Sequence, residues 1–178
     1  MLRKIGLLVL AAALLIPSGA MADYAHKLEA EDMTVSWTLD GDNIKFELSA
    51  KTTGWVAIGI DPEKAMAGAD IIIGAVKKGK FKIQDHFADK KRAHKTDKKL
   101  GGADNITDKD GSEADGVTTI SFSRPLAAAE EYDKPVKADG VTRIMIAYGT
   151  GRDSFKTGHK YRAVYDVNFA TGEAEKVK

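Results

Sequence analysis

Residues 54–74 constrain the fold of this chain more than any other stretch. Two apolar, β-branched runs stand on either side of a short polar connection. The first, Gly54-Trp55-Val56-Ala57-Ile58-Gly59-Ile60, is bounded by glycine and broken by Asp61-Pro62, so it reads as a strand. The second, Ala69 to Val76, contains Ile71, Ile72 and Ile73 in succession and reads as another. Between them Met66 precedes Ala67 and Gly68. A methionine in a connection gains less from burial than one in a strand, so it needs a partner to explain it.

The flanking sequence repeats the strand signal. Met33–Leu39 and Ile44–Ala50 alternate polar and apolar residues around an Asp-Gly-Asp-Asn turn, which predicts a hairpin. Phe81–His86, Val117–Phe122, Val141–Tyr148 and Tyr161–Phe169 supply further short strands between Gly- and Lys-rich turns. Asp23–Asp32 reads as a loose lead-in, and Leu126–Tyr132 allows a helical turn or two. Residues 87–116 are rich in Lys, Asp and Gly, carry almost no large apolar side chains and predict a charged surface excursion. Many short strands with little helix indicate an all-β fold, an antiparallel immunoglobulin-like β-sandwich.

The N-terminus combines Arg3 and Lys4, an apolar run from Ile5 to Ile16 and a small-residue site ending Ala20-Met21-Ala22. That pattern predicts a signal peptide over 1–22, cleaved after Ala22, leaving one domain over 23–178 in the periplasm or outside the cell. No other apolar stretch is long enough for a membrane span after signal removal. Net charge is close to zero, which gives no reason to expect nucleic acid as a partner. The chain contains no cysteine. That excludes disulfides, covalently attached c-type haem, all-cysteine iron–sulfur clusters and a thiol nucleophile.

Three short motifs carry a family resemblance. The G-W-V-A-I-G strand followed by Met66 just before Gly68-Ala69-Asp70, the strand Phe122-Ser123-Arg124-Pro125-Leu126, and Thr157-Gly158-His159-Lys160-Tyr161 resemble, in that order, the DOMON domain in its b-type cytochrome form. The haem domain of cellobiose dehydrogenase is of this form. The resemblance runs from about Met33 to about Val167. It implies a non-covalent haem b whose iron is held between Met66 and His159, with Gly68 letting the backbone approach the macrocycle. Trp55, Ile71, Ile73, Met145 and Tyr148 are then candidate walls, and Arg152, Lys156, Lys160 and Arg162 candidate partners for the propionates. Met/His ligation fills both axial positions, which suits one-electron transfer to a redox partner protein, a dehydrogenase or another cytochrome.

Other readings stay open. A haem-free DOMON-like module binding a sugar or another small ligand accounts for the same strands, and so does a haem sensor or carrier. His86 and His94 lie eight apart in a charged region without a third ligand at matching spacing, and read as solvated loop histidines. Bis-His ligation through His86 is the alternative if Met66 does not bind. His26 is expected to be exposed. An EF-hand over Asp104–Asp115 fails, because aligning Gly111 with the loop glycine puts Ile106 and Val117 at the two end positions. No paired-carboxylate, G-x-S-x-G or Walker A pattern marks an enzyme. The lysine-rich run from Lys90 to Lys99 is a candidate docking patch for an acidic partner.

Overall fold

The structure is a computed structural model that describes residues 23–177; the signal peptide expected over 1–22 lies outside them. Among the described residues twelve strands form two antiparallel sheets. One sheet has the order β1-β2-β3-β9-β8, from β1 (His26–Ala30), β2 (Met33–Asp40), β3 (Asn43–Ala50), β9 (Val117–Pro125) and β8 (Thr107–Ala114). The other has the order β12-β11-β10-β4-β5-β6-β7. Its strands are β4 (Val56–Ile60), β5 (Asp70–Lys77), β6 (Lys80–Lys90), β7 (Ala93–Thr96), β10 (Thr142–Gly149), β11 (His159–Val167) and β12 (Ala174–Lys176). The expected all-β antiparallel sandwich is what the chain adopts.

The two sheets bury a common core. Trp37, Phe46 and Leu48 of the first sheet meet Ile58, Ile60, Ile72, Ile144 and Ile146 of the second, with Phe169 between them. The Trp37 indole N–H donates to the Phe169 carbonyl at 2.9 Å, which satisfies the one polar atom of that side chain. Phe169 also meets Trp37 and Phe46 edge-on.

Several local expectations change. The lead-in is largely a strand, because β1 pairs with β2 from His26↔Trp37 to Ala30↔Met33. His26 accordingly stacks near Trp37 rather than standing free, with ring centroids 5.7 Å apart. Residues 126–140 contain no helix. The charged segment 87–116 contributes the end of β6, β7, one helical turn, α1 (Asp97–Leu100), and β8, whose backbone is satisfied by pairing with β6 and β9. Its charges stay mostly outside, but Asp97 and Ile106 are fully buried and pin it to the sandwich.

An ion pair links the two sheets. Arg124 of β9 donates to the Asp70 carboxylate of β5 at 2.6 Å, and both groups are almost completely buried. Arg124 also donates to the Lys134 carbonyl at 2.7 Å, and the Lys134 amide donates to Asp70 at 3.1 Å. Two further acids lie close by. Burial, reinforced by Asp70 and Asp97, pushes Asp85 up to about 8. Burial, reinforced by Asp70 and Asp133, pushes Asp97 up to about 7.

These raised carboxyls hold their protons in the folded protein at pH values where the unfolded chain has lost them. Their contribution to stability is therefore complete below the ordinary aspartate range near 3.8 and disappears as pH rises through about 7 to 8. In buffer free of divalent cations, urea unfolding should show this fall most clearly between about pH 6.5 and 8, because below that range the histidines His86, His94 and His159, whose pKa values are lowered by folding, oppose it. Asp97→Asn should flatten that slope; a slope unchanged in the variant would contradict the assignment.

Candidate functional site

The seven-stranded sheet is buried on both faces at its centre, which is why β4 and β5 read as continuous apolar runs rather than alternating ones. One face meets the other sheet. The opposite face carries a second apolar cluster of Trp55, Ala57, Ala69, Ile71, Ile73, Ala75 and Ala88, with Met66, Met145, Ala147 and Phe155 packed against it.

Strand register sets out this outer face in rows. One row runs Met145, Gly59, Ile71, His86 and Thr96 across β10, β4, β5, β6 and β7. The next runs Ala147, Ala57, Ile73 and Gln84. Met145 lies over Gly59 so closely that a Cβ there would stand 2.5 Å from the Met145 methyl. Glycine at this position is what admits the thioether to the face.

Met66 reaches the cluster from a short hairpin. Glu63 N–H donates to the Ala67 carbonyl at 2.9 Å, and Ala67 N–H donates back to Lys64 at 3.1 Å. The hairpin is tied to the sheet edge by Gly68 N–H, which donates to the Ala88 carbonyl at 2.9 Å. Gly68 has φ +81°, and Ala65, immediately before Met66, has φ +54°. A left-handed alanine is disfavoured, and such strain recurs where a side chain must be aimed.

His159 opens β11, opposite Gly149 of β10. It is exposed on one side and meets Trp55 edge-on at 6.1 Å. The Trp55 indole N–H donates to the Thr157 hydroxyl at 3.0 Å, anchoring the segment that carries His159. The structure therefore brings Trp55, Met66, Met145, Ile71 and Ile73 together on one face, with His159 at its margin. Tyr148 is a correction. It precedes Gly149 with Ile144 and Ile146 on the inner side of β10, so the pleat turns it into the inter-sheet core, stacked on Tyr161 at 5.5 Å.

Sequence reasoning placed His86 and His94 in a solvated loop, and the structure does not. His86 is buried on the outer face, its Nδ1 2.8 Å from Nδ1 of His94, with its Nε2 lacking any partner. Burial, then the charges of His94, Lys82 and Lys99, pulls His86 down to about 4. Burial, then His159, lowers His94; burial, then Arg162, lowers His159. All three rings are thus held neutral, the form in which imidazole binds a metal. The missed signal was position: His86 lies directly opposite Ile71 in the row of outer-face residues.

Phe155 packs on this cluster, 6.1 Å from the His86 ring, with the Lys82 ammonium 5.1 Å from its own ring centre. Beside it Lys77, Lys80, Lys82 and Arg152 line a cationic cleft with Ala75, Asp153 and Ser154. On the other flank, Met66 N–H approaches the Lys91 carbonyl at 3.5 Å, so the lysine-rich turn adjoins the Met66 hairpin. Among the described residues no helix is long and apolar enough to cross a membrane.

The DOMON domain family matches residues 29–149. The chain belongs to the DOMON family. It is 32% identical over 161 residues to the human DBH-like monooxygenase protein 1, covering 86% of this chain and 24% of that protein. It is 31% identical over 140 residues to the mouse protein of the same name, covering 76% and 21%. The DOMON chain thus spans about a quarter of the length of these curated relatives. Two solved structures share the fold at 11% identity. The cytochrome b domain of pyranose dehydrogenase from Coprinopsis cinerea aligns with TM-score 0.60 over 81% of this chain and 82% of that one. The cytochrome domain of Myriococcum thermophilum cellobiose dehydrogenase aligns with TM-score 0.57 over 79% of each.

Replacing Ala65 by glycine should remove the left-handed penalty while costing some unfolded-chain entropy. We expect a net gain of about 0.5–1 kcal/mol in urea unfolding. A loss of stability would show that the methyl group packs and that the hairpin is not strained there.

Proposed function

We propose that this DOMON protein is an exported b-type cytochrome module. Its outer sheet face binds one non-covalent haem b, with Met66 and His159 as axial ligands, and exchanges single electrons with a redox partner protein, a dehydrogenase or another cytochrome. The observation that carries this reading is the gathering of Met66, Met145, His86 and His94 over an apolar floor on one face of a single sheet, with His159 at its margin against Trp55. A thioether and an imidazole are both haem-iron ligands, and an apolar floor suits a macrocycle. The likeness in fold to two cytochrome domains agrees with it.

The donor set fits the group. Bound haem supplies a one-electron iron couple, and the protein tunes it through axial ligands, burial and hydrogen bonds. Met66 and His159 would hold the iron from two separate segments. Trp55, Ile71, Ile73 and Met145 would exclude water from the ring. Arg152 and Lys82, which line the cationic cleft, would face the propionates. Phe155, which packs on this cluster, would have to give up its place. With both axial positions filled no site would remain on the iron for a substrate, which suits an electron carrier without a catalytic residue. The basic turn beside Met66 steers an acidic partner to the haem edge. The signal pattern over 1–22 supports a periplasmic or secreted location, with 23–178 as the mature domain.

A second reading has its own observation. The buried His86 Nε2 has no partner, so His86 replaces Met66 if the thioether does not bind.

Titrating the purified protein with haemin should give a sharp Soret band, and dithionite should add low-spin α and β bands. Met66→Ala and His159→Ala should each perturb those bands, and Phe155→Ala should speed haem uptake. A featureless visible spectrum after haemin addition would leave a haem-free module for a sugar or another small ligand. Rapid loss of the haem to an apo-acceptor would make the iron cargo. Replacing Lys90, Lys91 and Arg92 with glutamine should slow reduction by an acidic donor at low salt and leave the rate at high salt unchanged; an equal rate at both would contradict docking there.

A further inference from the structure

Asp70, Asp85, Asp97 and Asp133 are each less than a tenth exposed, and Glu130 is half-buried. They come from three separate parts of the chain. Asp70 and Asp85 lie on the inner faces of β5 and β6, Asp97 opens α1 in the charged segment, and Glu130 and Asp133 lie in the irregular stretch after β9. Carboxylate oxygens of Asp70, Asp85 and Asp133 all lie within 4.8 Å of one another, and so do those of Asp97, Glu130 and Asp133. Asp133 belongs to both groups.

The hydrogen bonds given to these acids leave much of their capacity unused. Asp133 accepts from the Ala129 and Glu130 amides at 2.9 and 3.2 Å and from the Asn105 side chain at 3.0 Å. Asp85 accepts from the Asn105 amide at 3.2 Å, and Glu130 from the Ala103 amide at 2.7 Å. Asp70 uses one oxygen for Arg124 and Lys134. Asp70 Oδ1, Asp85 Oδ1 and both oxygens of Asp97 are buried with no partner. Asp97 has no exposed surface, so neither of its oxygens has water to turn to. Arg124 is the only buried lysine or arginine among the described residues, and it serves Asp70. Isolated buried charge is costly, and unpartnered buried oxygens are rare in stable folds.

We infer that this cluster is a structural site for a divalent cation of the calcium class, bound by Asp97, Asp133, Glu130 and the free oxygens of Asp70 and Asp85. The donors are all hard oxygens, which excludes a preference for soft metals. Oxygens bound to one Ca²⁺ at about 2.3–2.6 Å can lie up to about 5 Å apart, whereas the shorter bonds and strict octahedron of Mg²⁺ limit them to about 4 Å. Each trio spans no more than 4.8 Å, within reach of one such ion, and a cluster this rich in carboxylates suits Ca²⁺, which takes about six to eight oxygens, better than Mg²⁺, which keeps several waters and binds through one or two carboxylates. The ion would join α1 and the 129–134 stretch to the β5–β6 edge, fastening the charged segment to the sandwich. None of these ligands belongs to the Asp104–Asp115 stretch that superficially resembles a calcium loop, and the site does not depend on haem.

The test uses the protein over 23–178, freed of metal with a chelator, followed by calorimetric titration and thermal unfolding. Calcium chloride should bind with one-to-one stoichiometry and raise Tm by about 5–10 °C at a hundredfold excess over Kd. Magnesium should raise it much less. Asp97→Asn removes a buried carboxyl with no partner, so it should fold in chelator at least as well as the parent, by circular dichroism, while losing the calcium response. Asp110→Asn, on the exposed strand β8, should keep the response. Identical Tm in calcium and in chelator would overturn the site, and so would a full calcium response in Asp97→Asn.

Discussion

Everything in this protein depends on a sheet that must be dry on both sides. β4 and β5 are buried along almost their whole length, and the period-two pleat sends alternate residues of one apolar run to opposite destinations. Val56, Ile58 and Ile60 meet the other sheet, whereas Trp55, Ala57 and Gly59 face outward. An outer face this apolar has to be covered. The Met66 hairpin, Phe155 and the edge histidines His86 and His94 cover it, so the chemically useful side chains are also those that keep water off the sheet. A register slip of one residue in β5 would exchange Ile71 with Ile72 and destroy both faces together.

The same alternation separates two kinds of site by one residue. His86 points to the outer face and Asp85 to the inner one. The outer face collects soft and borderline donors, thioethers and neutral imidazoles, over hydrocarbon. The inner edge collects carboxylates around Arg124. Asp70 and Arg124, 54 positions apart, lie in two of the three motifs that carry the family resemblance. Their ion pair ties the sheets together at that edge, so these motif residues serve architecture rather than a cofactor.

Much of this was legible in the sequence, for physical reasons that also explain what was not. Alternation in Met33–Leu39 and Ile44–Ala50 and the β-branched runs around Met66 specify strands locally, and strands that short leave little choice but a sandwich. Met66, Trp55 and Met145 were legible as neighbours because family motif and strand parity agree. Tyr148 was misplaced because it was read from its position in the chain alone: it stands three residues from Met145 on the same strand, and the period-two pleat puts the two on opposite faces. β1 was hidden because His26–Ala30 is polar on its exposed side and gains its place only by pairing with β2. The charged segment was hidden for a related reason. Its strands are satisfied through β6 and β9, and its anchors are a single isoleucine and an aspartate buried beside acids from elsewhere in the chain.

The central claim is that the outer face holds haem iron between a thioether and an imidazole. X-ray absorption at the iron edge of the haem-loaded protein tests it most directly, because sulfur and nitrogen scatter distinguishably in the first coordination sphere. The account predicts one sulfur and five nitrogens in the native protein, with the sulfur lost in Met66→Ala but retained in Met145→Ala. Six nitrogens in the native protein would contradict it and assign the second axial position to a histidine instead.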